Sequence, residues 1–389
     1  EDNPFNQLQR SINFYKENYQ RKTKSIPLRE NKKIHIGYFS SDFRAHPTMY
    51  LIASILEMHD KSKFNIFLYS FAPDEDRFTE RAKESGCIFR DIKELDNIKA
   101  VELARADKLD IAIDLMGYIQ LNRMTIFSHR VAPVQINFLG YPASVGANTF
   151  DYIIADNIII PKENEKFYSE KVIRMPDCYQ CNDNTKEISA EIIYRKQFNL
   201  PEKGFVFSCF NANNKITPKE FNIWMRLLDK VEDSVLWLYQ SNKWSMKNLY
   251  KEAEKRNINP ERLIFAKSLS LPKHLARHKL ADLALDTFNY NGHTTTSDAI
   301  WAGLPVITKL GKSFASRVSA SILTSIGVTE LITYNEKEYE DKALELANNK
   351  EELLKLKCKI ENARNNSNLF NSKLFTQNLE KELTKITLR

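Results

Sequence analysis

The sequence contains little cysteine and no long hydrophobic run. Only five of its 389 residues are cysteines, and they are scattered along the chain. The disulfide framework of a secreted protein needs paired cysteines, so an odd, scattered set favours a reducing compartment. No apolar run approaches the ~18 residues that would cross a bilayer, and no secretory leader is recognisable. We therefore expect a soluble, cytoplasmic protein without a membrane span.

The chain also lacks the marks of a protein that binds nucleic acid or zinc. Its 57 Lys and Arg are interleaved with 50 Asp and Glu, whereas nucleic acid requires a concentrated basic patch. Cys178 and Cys181 form a C-x-x-C, but no second pair completes a tetrahedral site, so we interpret this pair as structural. The mild positive excess is compatible with an anionic small molecule. We expect no nucleic-acid partner.

Apolar segments of strand length alternate with helical segments along most of the chain. Such alternation, with helices of ~10–15 residues, is typical of a parallel, doubly wound sheet. It begins at residue 34, is interrupted by a polar stretch near 182–204, and then restarts. This predicts two α/β domains that face each other across a cleft, residues 34–190 and 200–389. We expect extra terminal helices at 1–33 and 335–389.

The most informative segment is DTFNYNGHTTTSDAIWAG, residues 286–303. A strand leads to a turn at Gly292, and a helix then begins with polar residues. These are His293, Thr294 and Thr295. The first turn of a helix offers unpaired N–H groups at a positive dipole end, which is an anion site. Asp298 would repel a phosphate but suits ribose hydroxyls, so the pattern indicates a nucleotide. The alternative is ordinary N-capping by threonine.

Two other loops that follow strands carry candidate catalytic residues. In SSDFRAHPT, Pro47 suits the first position of a helix, which places His46 at the helix entrance. A histidine there can take a proton from a hydroxyl near neutral pH. In NANNKITP, Lys215 stands among asparagines and would act as a point charge on a phosphate. The alternatives are a histidine that only caps its helix and a solvated surface lysine.

A helix directly before the strand LALDT carries His274, Arg277 and His278. The two histidines have the spacing of a zinc pair, but no Glu follows His274 as in a metalloprotease helix. We therefore favour contacts to a nucleobase and phosphate. The acidic triplet at 74–76 matches a D-x-D metal motif, yet it precedes an expected helix, where acidic residues are common. We expect no bound metal.

Together these segments resemble a known family. The blocks SSDF-x-x-HPT, FLGYP-x-x-x-G, YSEK, SVLWL, NGHTT-x-x-D-x-x-WAG and FASRV run in order from about residue 34. They are similar to the catalytic region of the O-linked N-acetylglucosamine transferase family (glycosyltransferase family 41 type, in a bacterial-like form). This family includes O-fucosyltransferases and bacterial N-glycosyltransferases. The resemblance implies a glycosyltransferase B fold and a metal-independent, inverting sugar transfer from a nucleotide sugar to a protein side chain.

The resemblance also implies roles for individual positions. His46 matches the active-site histidine proposed as a base, and Lys215 matches the diphosphate lysine. The turn residues His293, Thr294 and Thr295 match the diphosphate-binding turn. Other matches are Asp298 at the ribose, and His274 and Arg277 at the nucleoside. The loop that contacts the donor sugar is Leu139, Gly140, Tyr141 and Pro142.

Three departures from the family pattern are visible. A glutamine near the diphosphate is replaced by Ala212, and the ribose-contacting lysine aligns with Leu271, with Lys273 as an alternative. The helical repeats that recruit acceptor proteins are absent, so segment 1–33 looks like a remnant of them. His293 and the HPT run favour the N-acetylglucosamine branch over the fucosyl branch.

The expected reaction is transfer of N-acetylglucosamine from UDP-GlcNAc to Ser or Thr hydroxyls of an acceptor protein or peptide, without a cofactor. His46 or a carboxylate, Asp107 or Asp114, would accept the hydroxyl proton. Lys215 and the helix that begins at Thr294 would meet the charge on the departing diphosphate. The alternatives are another sugar or linkage (O-fucosyl or N-linked hexosyl transfer), a nucleotide-sugar 2-epimerase, and a nucleotide-sugar sensor.

Overall fold

A computed structural model describes nearly all of the chain. The described residues are 1–21, 25–29 and 31–387. They form two compact units. The first unit comprises Asn3–Thr185 and Asn368–Arg389, and the second comprises Glu1–Asp2 and Lys186–Ser367. Residues 22–24 and 30 of the predicted helical segment 1–33 lie outside the described residues.

The first unit is built on a parallel sheet. Its strands are β1 (Ile34–Ser40), β2 (Phe64–Ser70), β3 (Ile88–Asp91), β4 (Ile111–Asp114), β5 (Val134–Asn137), β6 (Tyr152–Ala155) and β7 (Lys171–Arg174). They lie in the order β3-β2-β1-β4-β5-β6-β7, and every neighbouring pair is parallel. The strand order reverses between β1 and β4. Ligands of doubly wound sheets bind beyond the carboxyl ends of the strands at such a reversal.

Helices cover this sheet, and polar side chains lie at the first turns of four of them. The helices are α1 (Pro4–Asn18), α2 (Pro47–Met58), α3 (Arg77–Glu84), α4 (Asn97–Ala106) and α5 (Met124–Ser128). Asn3, Asp76 and Asp96 each accept a hydrogen bond from a first-turn N–H, and Nδ1 of His46 lies 3.2 Å from the backbone nitrogen of Thr48. Such caps stabilise a helix start by about 1 kcal/mol. As predicted, α2 begins at Pro47.

The second unit repeats this architecture with a second parallel sheet. Its strands are β8 (Val206–Cys209), β9 (Val235–Tyr239), β10 (Leu263–Ala266), β11 (Leu283–Leu285), β12 (Val306–Lys309) and β13 (Ile332–Thr333). They lie in the order β10-β9-β8-β11-β12-β13, which is the strand order of a Rossmann fold. The reversal falls between β8 and β11. The loops after these two strands contain Lys215 and the 286–303 segment.

Seven α-helices of the described chain belong to the second unit, and α9 begins at Thr294 as predicted. They are α6 (Pro218–Lys230), α7 (Lys243–Glu254), α8 (Leu271–Arg277), α9 (Thr294–Trp301), α10 (Val318–Ser325), α11 (Glu336–Asn348) and α12 (Lys350–Asn366). Thr217 and Glu220 form a capping box at the start of α6. Within the described ranges, no helix is long and apolar enough to cross a membrane.

The last helix, α13 (Ser372–Thr387), belongs to the first unit. It packs on α2, and its apolar residues Leu379 and Leu383 are fully buried. Nδ1 of His59 lies 2.9 Å from Oε1 of Glu380 on this helix. The first unit therefore includes a segment from the far end of the chain.

This division differs from the predicted domains 34–190 and 200–389. The chain passes from the first unit to the second at residues 185 and 186, within the polar stretch that the sequence marks. The predicted terminal helices at 335–389 are shared, because α11 and α12 pack in the second unit whereas α13 packs in the first. An amphipathic pattern shows that a helix has a partner surface but not which surface this is.

Candidate functional site

The turn that follows β11 is held by the buried carboxylate of Asp286. Its Oδ1 accepts hydrogen bonds from the N–H groups of Thr287 (2.9 Å) and Gly292 (2.6 Å). Its Oδ2 accepts from the hydroxyl of Thr308 at 2.7 Å. Burial raises the pKa of the Asp286 carboxyl. Because one carboxylate binds both ends of the turn, residues 287–292 fold back over the end of the strand.

Gly292 lies where no side chain fits. A Cβ atom there would be 2.4 Å from Oγ1 of Thr296 and 2.7 Å from Oγ1 of Thr295. The Thr295 hydroxyl donates to Oδ1 of Asn211 at 2.5 Å, and the Thr296 hydroxyl lies 2.7 Å from Oγ of Ser319. The two hydroxyls therefore connect the start of α9 to Asn211 and Ser319.

The start of α9 carries backbone N–H groups that the protein leaves open. The N-cap residue is His293, and its side chain makes no capping hydrogen bond. Thr294 and Thr295 are the first two helical residues, whose N–H groups cannot bond within the helix. Neither N–H group donates a hydrogen bond to an acceptor elsewhere in the described chain. The alternative of ordinary capping by threonine is therefore wrong, and this helix start has the donors of an anion site.

Lys215 extends toward the same turn. Its Nζ donates to the carbonyl of Asn291 at 2.9 Å and lies 4.0 Å from the centre of the Tyr290 ring. Burial lowers the pKa of the Lys215 ammonium to about 8, although the carboxylate of Asp286 acts in the opposite direction. Lys215 is therefore not a solvated surface lysine, and its charge lies beside the turn.

His293 is neutral in this environment. Its ring stacks on Tyr290 with 4.8 Å between ring centres, and Nε2 lies 3.4 Å from the carbonyl of Ala315. Burial, reinforced by the charge of Lys215, holds the pKa of His293 well below its ordinary value. The structure thus brings the Lys215 ammonium together with the predicted turn residues, among which the His293 imidazole is neutral.

Asp298 has a partner that the sequence did not reveal. Nζ of Lys186 lies 2.7 Å from Oδ1 of Asp298, and the two side chains are only 1% and 5% exposed. Lys273, the lysine that the sequence offered beside Leu271, instead pairs with Glu191 at the surface, 2.9 Å away. Lys186 is part of the second unit and stands 112 residues before Asp298, and no local pattern marks it.

The predicted nucleoside residues lie on α8 and face the end of β8. The Arg277 guanidinium lies 4.6 Å from the centre of the Phe210 ring and donates to the carbonyl of Lys267 at 2.6 Å. Burial lowers the pKa of Arg277 to about 10. The rings of His274 and His278 meet edge to face at 4.7 Å. Nδ1 of His278 donates to the carbonyl of His274, so this ring nitrogen is occupied.

The structure accounts for the acidic triplet at 74–76 and the C-x-x-C in structural terms. Asp76 caps α3 by accepting the N–H groups of Phe78 and Thr79. Cys178 and Cys181 are both buried. In the part of the chain that the structure describes, no group of three or more His, Cys, Asp or Glu side chains could hold a metal ion.

In the first unit, His46 caps α2. Its Nδ1 lies 3.2 Å from the backbone nitrogen of Thr48 and 3.2 Å from Oδ2 of Asp42. The side chain is 33% exposed, and the partial burial lowers the pKa of His46. Nδ1 is therefore engaged at the start of α2, between a backbone N–H and a carboxylate. Among the described residues Nε2 has no hydrogen-bond partner, so this nitrogen remains available.

The two carboxylates considered as alternative bases lie at opposite ends of β4. Asp114 ends β4, and its oxygens accept the N–H groups of Met116 (2.9 Å) and Gly117 (3.0 Å). Burial raises the pKa of Asp114 to about 7. Asp107 follows α4 at the amino end of β4 and is bound by Arg90 at 2.8 Å. The prediction of Asp107 as a base near His46 is therefore wrong.

The predicted donor-sugar loop follows β5 at the carboxyl edge of the same sheet. Leu139 adopts a left-handed conformation (φ 66°), which a leucine holds only at some energetic cost. A Cβ atom on Gly140 would lie 1.8 Å from the carbonyl oxygen of Leu115, so this position requires glycine. Tyr141 packs edge to face on Tyr118, with 5.3 Å between ring centres. The loop is therefore held in one conformation by its neighbours.

Two Rossmann-type units, one of them with open anion donors at its strand-order reversal, define a fold of the glycosyltransferase B class. The family model described as glycosyl transferase family 41 matches residues 7–190 and 184–379. The chain belongs to glycosyl transferase family 41. The resemblance stated from the sequence motifs is thereby confirmed.

Individual relatives agree with this assignment. An Arabidopsis thaliana protein named probable UDP-N-acetylglucosamine--peptide N-acetylglucosaminyltransferase SEC is 33% identical over 363 residues, which cover 91% of this chain and 37% of that protein. The Caenorhabditis elegans UDP-N-acetylglucosamine--peptide N-acetylglucosaminyltransferase is 27% identical, covering 91% of this chain and 40% of its own length. The chain thus spans about two fifths of the length of these curated relatives.

A solved structure matches the fold over nearly the whole chain. A mutant of the Thermobaculum terrenum O-GlcNAc transferase superposes with a TM-score of 0.92 at 26% identity. The match covers 99% of this chain and 74% of that one. The predicted fold class, two doubly wound α/β domains of glycosyltransferase B type, is confirmed.

The lowered pKa of Lys215 predicts a pH dependence of UDP binding. The ammonium attracts a diphosphate only while protonated, so affinity should fall as pH rises through about 8. From about pH 7 to about pH 9 we expect a loss of up to about tenfold. The Lys215→Arg variant keeps its charge and should show a flat profile by titration calorimetry. Equal slopes in the two proteins would contradict this role of Lys215.

The Lys186–Asp298 pair predicts which lysine supports nucleoside binding. Lys186→Met leaves a buried carboxylate without its cation, so we expect UDP affinity to fall by about tenfold or more. Lys273→Met removes only a surface pair and should leave the affinity unchanged. Calorimetry on both variants decides between them. A loss confined to Lys273→Met would show that Lys186 does not support the site.

Proposed function

We propose that the chain is an inverting glycosyltransferase that moves N-acetylglucosamine from UDP-GlcNAc to Ser or Thr hydroxyls of an acceptor protein or peptide. The observation that carries the proposal is the convergence of the Lys215 ammonium and the open N–H groups of α9 on one turn. Such a set of donors suits a diphosphate leaving group. The names of the relatives, which specify a UDP-GlcNAc donor and a peptide acceptor, support the choice of sugar and acceptor.

The leaving group determines what the turn must do. When the bond between the anomeric carbon and the diphosphate oxygen breaks, its electron pair stays with the diphosphate. Lys215 and the N–H groups of Thr294 and Thr295 then stabilise the growing charge. One such preorganised donor contributes about 3–4 kcal/mol in the transition state. In this proposal the protein itself supplies the positive charge that neutralises the diphosphate, so the reaction requires no divalent metal.

The acceptor hydroxyl attacks the anomeric carbon from the face opposite the diphosphate, which inverts the configuration. Its proton goes to Nε2 of His46, whose other nitrogen is bound within the loop. Asp114 is less suited, because both of its oxygens already accept backbone N–H groups. His46 is therefore the proposed base, and the rigid loop 139–142 is proposed to contact the donor sugar.

The nucleoside is proposed to bind beside α8 and α9. Asp298, charge-paired to Lys186, would accept the ribose hydroxyls, and a carboxylate is the natural acceptor for a diol. His274 is neutral because burial holds its pKa well below the ordinary value. It can therefore contact a neutral base without electrostatic cost. Arg277 would complete this part of the site.

We further propose that the enzyme works in the cytoplasm. Cys87, Cys209 and Cys358 are present as thiols, and Cys358 is exposed. Exposed thiols persist in a reducing compartment. The acceptor and a cytoplasmic UDP-sugar pool would then be in the same compartment.

The proposal predicts a mass increase of one N-acetylglucosamine on acceptor proteins. The chain is co-expressed with a native protein set, and intact-mass analysis identifies the added sugar while peptide mapping identifies the modified residue. Lys215→Met should lower the transfer rate by about 100-fold or more, since it removes a donor to the leaving group. Lys219→Met, an exposed lysine on α6, is the matched control and should transfer normally.

Other outcomes would replace the proposal. A different added mass, or modification of asparagine, would indicate O-fucosyl or N-linked hexosyl transfer. Turnover of UDP-GlcNAc without an acceptor would indicate a 2-epimerase, and binding without any product would indicate a sensor. Transfer at nearly full rate by Lys215→Met would overturn the role of this lysine.

A further inference from the structure

We propose that Asp42 is a positioning residue that selects the tautomer of His46 in which Nδ1 carries the proton and Nε2 is free to accept one. Asp42 stands four residues before His46 in the loop between β1 and α2, and its Oδ2 lies 3.2 Å from Nδ1. The inference rests on the proposed function only in assigning His46 as the base. The selection of the tautomer itself is a property of the free protein.

Three groups lie 3.2 Å from Nδ1 of His46: the N–H of Thr48, the hydroxyl of Thr48 and the carboxylate of Asp42. The hydroxyl can accept from Nδ1 or donate to it, so the choice of tautomer lies between the N–H and the carboxylate. A neutral imidazole has one nitrogen that donates and one that accepts. The N–H of Thr48, 3.2 Å away, favours the form in which Nδ1 accepts, and in that form Nε2 carries the proton and cannot act as a base. The carboxylate of Asp42 favours the form in which Nδ1 donates. Because a charged acceptor makes the stronger hydrogen bond, Asp42 prevails.

The carboxylate of Asp42 is fixed in place by its surroundings. Its side chain is only 4% exposed. The hydroxyl of Ser41 donates to its Oδ1 at 3.0 Å, and the Asp42 N–H donates to Oγ of Ser40 at 2.9 Å. A buried carboxylate held in this way cannot turn toward solvent. The residues SSD therefore position the carboxylate at the end of β1.

The charged groups that face His46 act in opposite directions. Asp42 raises the pKa of His46, whereas burial and the charge of Arg44 lower it. Arg44 is itself drawn toward Asp74, 3.8 Å away. Asp42 is therefore the group that stabilises the imidazolium once Nε2 has taken a proton.

His46 and Asp42 account for every proton in the sugar-transfer step. The hydroxyl O–H bond breaks as the oxygen bonds to the anomeric carbon, and this proton passes to Nε2. Nδ1 keeps its own proton and donates to Asp42. The electron pair of the broken glycosyl–phosphate bond leaves with the diphosphate. Asp42 receives no proton in this step, like the orienting carboxylate of a hydrolase triad.

The tautomer can be measured without any activity. Long-range 1H–15N correlation spectra of the full chain identify which imidazole nitrogen carries the proton, and His46→Asn assigns the signal. The wild type should show His46 protonated on Nδ1, and Asp42→Asn should shift the proton to Nε2. A wild-type His46 protonated on Nε2 would overturn the inference. Glu94→Gln, an exposed carboxylate-to-amide change in the same unit, should leave the spectrum unchanged.

A double-mutant cycle tests whether Asp42 acts through His46. Asp42→Asn should lower kcat by about 100-fold. KM for the donor should stay within about twofold, since the change leaves donor binding intact. In the His46→Asn background the same change should have no further effect. A further loss there would show that Asp42 acts independently and would overturn its positioning role.

These readouts separate the inference from the proposed function. If the wild type transfers no sugar, the proposed function fails while the spectra still decide the tautomer. If transfer occurs and His46→Asn is fully active, the assignment of the base fails, and Asp42 then positions a histidine that does not react. The acid limb of the kcat–pH profile gives a third check, because Asp42→Asn should move it to lower pH.

Discussion

The candidate site depends on the hydrogen bonds that the carboxylate of Asp286 accepts. This carboxylate joins the end of β11 to Gly292, and through Thr308 it also binds the neighbouring strand β12. Without this carboxylate, the turn between Thr287 and Gly292 would have no common acceptor, and α9 would lose its fixed starting point. The open N–H groups and Lys215 can act on one ligand only because this turn is rigid.

The first unit uses the same device. Asp114 ends β4, the strand that corresponds to β11 in the sheet order, and it likewise accepts two N–H groups of the turn that follows. The strand beside it, β1 or β8, is followed in each unit by a loop with a chemically active side chain. In the first unit this side chain is His46, and in the second it is Lys215. One architecture, repeated, therefore holds the proposed base in one unit and a lysine ammonium in the other.

The sequence could predict what local pattern encodes. The alternation of strands and helices, the helix start at Pro47 and the helix that begins at Thr294 could all be recognised in the sequence. Contacts between distant segments could not, because nothing local marks them: Lys186 pairs with Asp298 across 112 residues. Strand β7 is hard to recognise in the sequence, because KVIR is a short edge strand with a charged residue at each end. The prediction of Asp107 as a base was wrong because it considered only that Asp107 is close to β4 in sequence. Asp107 lies at the amino end of this strand, whereas His46 follows the carboxyl end of β1.

A crystal structure of the full chain with UDP tests the central claim most directly. We predict that diphosphate oxygens lie within hydrogen-bond distance of the N–H groups of Thr294 and Thr295. Nζ of Lys215 should also contact the diphosphate, and the ribose hydroxyls should contact Asp298. A diphosphate bound away from this turn, with Lys215 still donating to Asn291, would contradict the account.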